Sequence, residues 1–106
     1  TEAAASVNSA ASSVPDATHN KYGCRYCNVQ VNCDNAFTLK VWGASADFAA
    51  TTAATLLYTS SGNTATGASD YKNFIAPIPG FDYVSAVVTN DGVDASTITV
   101  KKRFFN

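Results

Sequence analysis

From Tyr26 to Trp42 the side chains change character at almost every step. Cys27, Val29, Val31 and Cys33 alternate with Tyr26, Asn28, Gln30 and Asn32; after Asp34-Asn35, Phe37, Leu39 and Val41 alternate with Thr38, Lys40 and Trp42. A period of two sends successive side chains to opposite faces of an extended chain, so each run reads as a strand with one buried face. Shorter strand patterns recur at Thr55 to Thr59, Tyr71 to Ala76, Asp82 to Thr89 and Ala95 to Phe105. Ser60-Ser61-Gly62-Asn63, Pro77-Ile78-Pro79-Gly80 and Asn90-Asp91-Gly92 separate them. Asp-Gly supplies the positive φ of a tight hairpin, which predicts that the last two strands pair with each other. Ala44 to Ala54 has no sustained helical period and reads as a loop or bulged edge. Such a series of short strands predicts an all-β chain, a small antiparallel β-sandwich or jelly roll.

Residues 1–23, TEAAASVNSAASSVPDATHNKYG, cannot build a core, since Val7 and Val14 are their only aliphatic side chains larger than alanine. They read as an extended N-terminal arm or connector, with 24–106 as the sandwich domain. A short helix ended by Pro15 and an extended strand both fit the arm. At 106 residues the chain has the length of one domain. Its charged fraction is low, 14%, with 18 Ala, 12 Thr and 10 Ser in place of the missing charge. A net charge of -1 gives no electrostatic footprint for nucleic acid. No apolar stretch approaches the roughly 18 residues of a spanning helix, so membrane insertion is not expected. The absence of any Met suggests a processed, exported chain.

Catalytic vocabulary is sparse: one His (His19), one Glu (Glu2) and one Trp (Trp42), so a role other than an enzyme is expected, without cofactor or metal. The cysteines at 24, 27 and 33, in GCRYCNVQVNC, are the most specific feature. A zinc site completed by His19 is one reading. Structural disulfides are another, and geometry limits them. Six steps of a straight strand separate Cys27 from Cys33 by roughly 20 Å, whereas bridged Cα atoms lie within about 7 Å. Cys24 and Cys27 can close a small loop, leaving Cys33 over; a bond to another chain is the favoured use of the odd thiol, and a buried inert thiol is the alternative. Asn90, Asp91 and Asp94 lack the long acidic series of a calcium loop and read as turn residues. Lys101-Lys102-Arg103 reads as a solvated strand end. Phe104 and Phe105, two large rings beside the C-terminus, need a core or a partner to cover them.

A sandwich has open sheet edges, and an arm from a neighbouring copy can add to such an edge by main-chain hydrogen bonds. Head-to-tail use of that contact does not close, and so makes fibres. The expected function is a structural subunit of a self-assembling extracellular filament or pilus, with copies of itself as partners. Val7, Val14, Phe104 and Phe105 would be subunit contacts, and Cys24, Cys27 and Cys33 the disulfide-forming thiols. The layout of arm, GCRYCNVQVNC cluster and strands ending in STITVKKRFF resembles the small β-sandwich subunits of bacterial surface appendages, including endospore appendages. In those a flexible connector with cysteines precedes a Ser/Thr/Ala-rich jelly roll; here the cysteines follow the arm rather than sit at its tip. The resemblance implies no catalysis and no cofactor. Two alternatives stand beside it: a phage or virion decoration protein bound to a capsid, and a carbohydrate-binding module using Trp42, Tyr58 and Tyr71.

Overall fold

The computed structural model describes residues 4–9, 17–67, 69–92 and 96–106. Eight strands follow one another: β1 (Ala4–Ser9), β2 (Ala17–His19), β3 (Tyr26–Cys33), β4 (Phe37–Ala44), β5 (Thr55–Asn63), β6 (Lys72–Pro77), β7 (Tyr83–Asn90) and β8 (Ser96–Phe105). They form two four-stranded sheets, the first in the order β1-β8-β3-β6 and the second in the order β2-β7-β4-β5. The pairs β1–β8, β2–β7, β3–β6 and β4–β5 are all antiparallel, which is the pattern of one long hairpin rolled up on itself. The all-β sandwich expected from the sequence is therefore the fold, in jelly-roll order.

Alternation builds the core. Cys27, Val29, Val31 and Cys33 of β3 are fully buried, as are Phe37, Leu39 and Val41 of β4. Val84, Ala86 and Val88 of β7, Ile98 and Val100 of β8, and Phe74 and Ala76 of β6 complete the layer between the sheets. The Phe37 and Phe74 rings meet edge to face at 6.1 Å, tying the two sheets together near one end. Gly43 is buried on β4 because a side chain there has no room: a Cβ would come within 2.8 Å of both Leu57 and Phe81.

Two expectations are corrected. The last two strands do not pair, since β7 lies in the second sheet and β8 in the first. The Asn90-Asp91-Gly92 segment is instead the start of a crossing between sheets, held when the Asn90 side chain accepts a hydrogen bond from the Gly92 N–H (2.8 Å) and Asp91 N–H donates to the Ala36 carbonyl (2.9 Å). The strand beginning at Thr55 runs past Thr59 to Asn63, with register shifts against β4 between Phe37 and Leu39 and between Val41 and Trp42. The Ala44 to Ala54 connection contains a single 3-10 turn at Thr51–Ala53.

Buried asparagines fix the loops. Asn32 donates to the carbonyls of Gly67 and Asp70, and Asn63 to those of Phe37 and Ser60. The Asn32 amide satisfies carbonyls of the connection between β5 and β6, and the Asn63 amide satisfies carbonyls beside the register shift of β5 against β4.

Candidate functional site

The arm expected to make subunit contacts meets the edge of the first sheet. Strand β1 pairs with β8 from Ala4↔Lys101 to Ser9↔Ser96, so Val7 stands opposite Ile98. Its sequence, AASVNS, offers mostly small side chains. Seven residues separate it from β2, which pairs with β7 at the edge of the second sheet through Ala17↔Ser85 and His19↔Tyr83. His19 stacks on the Tyr83 ring at 4.9 Å. The part of the arm that is described thus supplies one edge strand to each sheet; Val14 lies outside the described residues.

On its other side β8 pairs with β3 over eight residues, Tyr26↔Phe105 to Cys33↔Ile98. Phe104 packs against the core and Phe105 stacks on Tyr26 at 5.5 Å, so both rings find cover within their own chain. Lys102 corrects the reading of Lys101-Lys102-Arg103 as a solvated end. Parity with Ile98 and Val100 turns Lys102 inward, where it is 1% exposed and its Nζ donates to the Val84 carbonyl at 3.1 Å, bridging the sheets. The alternation in ITVKKRFF was the signal that places it, and a reading by charge overlooked it.

The three cysteines form no disulfide and are buried. Cys24 and Cys27 do not close the small loop that the sequence allowed, and Cys27 and Cys33 sit six residues apart on one strand, too far to bridge. The same separation keeps them from sharing one zinc ion, and among the described residues no group of three or more His, Cys, Asp or Glu converges as a metal site. Burial pushes the Cys27 thiol up from 9.0 to about 11, against the pull of the Lys102 ammonium and a backbone hydrogen bond from Arg103. Such a thiol is unreactive at neutral pH. Cys24 differs: it lies in the loop before β3, 7% exposed, rather than inside the sandwich. Asn20 clasps it, accepting from the Cys24 N–H (3.0 Å) and donating to the Cys24 carbonyl (2.9 Å), while Gly23 at φ 60 makes the turn.

The aromatic residues proposed for sugar binding are not brought together. Trp42 alternates with inward-facing Val41 and lies half-buried on the second sheet, and Tyr58 packs against the core. Tyr71 sits beneath the Lys101 ammonium at 4.7 Å, against the first sheet.

No protein-family model matches the chain, and no curated protein is similar to it. A solved structure described as "Bacillus endospore appendages form a novel family of disulfide-linked pili" is similar to the whole of this chain and to 87% of its own, at 13% identity and a TM-score of 0.48. A likeness at that level carries no argument about function.

Proposed function

We propose that the protein is a non-catalytic structural subunit of an extracellular filament, in which β1 of one copy lies against β8 of the next. The observation that carries this reading is the β1–β8 pairing: a strand of small residues, held at a sheet edge by a six-residue register. Transfer of β1 to a neighbour breaks and re-forms the same main-chain hydrogen bonds. The exchange is therefore near neutral in energy per contact and is driven by concentration. Repeated head to tail, it extends without closing. All three thiols are buried, but Cys24 is the one set in a loop outside the core, so a covalent lock between copies in an oxidising exterior falls to Cys24 once that loop opens.

Negative-stain microscopy of the purified protein tests the reading beside two variants, Ser6→Pro and Val7→Pro. On an edge strand alternate N–H groups face the neighbour, so one of these two substitutions removes a hydrogen bond to β8. Filaments from the unsubstituted protein, lost in one of the variants, are expected. Monodisperse particles of 11.1 kDa at all concentrations would overturn the proposal.

A further inference from the structure

The outward face of the first sheet carries an ordered ladder of side chains. Register places Tyr26 beside Phe105, Asn28 beside Arg103 and Gln30 beside Lys101, and all six residues have the parity opposite to the buried Cys27, Val29 and Val31. An aromatic rung is thus followed by two rungs that each join an amide to a cation, about 7 Å apart along the strands. The four strands of this sheet hold Lys72, Lys101, Lys102 and Arg103 and not one acidic residue. Over the two amide–cation rungs lies a recess of about 480 Å³, lined by Tyr22, Asn28, Gln30, Lys101 and Arg103 together with Lys102 and Phe104. That volume is in the range of about 300 to 1,000 Å³ typical of small-ligand sites. Two of its groups are held in position: the Lys101 ammonium rests 4.7 Å from the Tyr71 ring centroid, and Asn28 Nδ2 donates to the Phe74 carbonyl at 3.2 Å. Tyr22, 80% exposed, presents an open ring at the rim.

We infer that this recess binds an acidic saccharide, a uronate-type chain. Arg103 and Lys101 would pair with its carboxylates, and Asn28 Oδ1 and the Gln30 amide would hydrogen-bond its hydroxyls. The Tyr22 ring would cover a sugar face. Each assignment follows from chemistry. A guanidinium matches a carboxylate in two parallel bonds. Amides both donate and accept, as hydroxyls do. An amphipathic ring covers the apolar face of a sugar while its hydroxyl stays wet. An acidic peptide fits less well, because the rungs lie on the face of paired strands, where main-chain groups are committed to their ladders and strand addition is closed. A nucleic acid backbone calls for a broader cationic field than a chain of net charge -1 provides. The inference does not depend on assembly.

Isothermal titration of the full chain with a galacturonate oligomer tests it, beside a neutral galactose oligomer of equal length and a polyglutamate of equal charge. Binding of the galacturonate oligomer is expected, weakened by salt, and at least about tenfold tighter than either control. The double variant Lys101→Gln/Arg103→Gln should weaken it about tenfold or more, with an unchanged melting temperature. Gln30→Ala, which leaves the cations in place, should weaken it several-fold and serves if the double variant does not fold. Absence of binding, equal binding of polyglutamate, or binding unaltered by these substitutions would overturn the assignment.

Discussion

Strand β8 has two neighbours that hold it by different means. Strand β3 meets it over eight residues and drives four fully buried side chains into the core. Strand β1 meets it over six, with a sequence of alanines, serines, one valine and one asparagine. The ladder hydrogen bonds on the two sides are of one kind. What separates them is the apolar area fixed between the sheets, which stabilises at about 25 cal/mol per Å². One neighbour places four side chains in the core, and the other offers by its sequence a single aliphatic side chain larger than alanine. A strand of the second sort can change partners without dismantling the sandwich.

The largest effect expected is on the β3 side. Val31→Asn buries an amide between the sheets, and the body should lose about 2 to 4 kcal/mol, read by denaturant unfolding. A loss below about 1 kcal/mol would mean that β3 is no more committed than β1. Next comes Cys27, whose folded pKa lies above its unfolded one. Its contribution is fully present below about pH 9 and is lost as pH rises through about 11. Two pK units correspond to about 2 to 3 kcal/mol. The alkaline decline in stability should therefore flatten in Cys27→Ala, and an unchanged slope would show that the thiol ionises freely.

Smaller still is Asn20→Ala, which removes the clasp on Cys24 and a further hydrogen bond to the Phe81 carbonyl (3.3 Å) where the chain enters β3. About 1 to 2 kcal/mol should be lost, and Cys24 should react faster with a thiol reagent in the folded protein. The smallest stability effect belongs to β1: Ser6→Pro and Val7→Pro should each change body stability by no more than about 1 kcal/mol while one of them abolishes assembly. A large fall in melting temperature from either would place β1 with β3, as part of the irreplaceable core.

The same contrast explains what could be read from the sequence. Strand β3 was legible because Cys27, Val29, Val31 and Cys33 carry the period of two in their own side chains. Strand β1 left no such mark, since Ala and Ser alternate in nothing and the register comes from β8. The Asn90-Asp91-Gly92 turn was legible as a turn, but which strands it joins depends on where inward faces pack, and β7 and β8 pack in opposite sheets. Lys102 was hidden by its neighbours: read as one of three cations it belongs outside, whereas read by parity with Ile98 and Val100 it belongs inside. The outer rungs of Asn28 with Arg103 and Gln30 with Lys101 needed the β3–β8 register, which no local pattern in either strand supplies.

The central claim, that β1 can leave its own β8 for that of a neighbour, is tested most directly by crosslinking across that register between two molecules. Asn8 and Thr97 are partners in the β1–β8 pair. One preparation carries Asn8→Cys and the other Thr97→Cys, both with Cys24→Ser so that the native loop thiol cannot link copies, and the two are mixed, treated with a short bis-maleimide and run on a reducing denaturing gel. A crosslinked dimer formed only in the mixture, and absent when either preparation is treated alone, is the result predicted. No dimer in the mixture, together with efficient internal crosslinking when both substitutions sit in one chain, would show that β1 stays at home and would contradict the account.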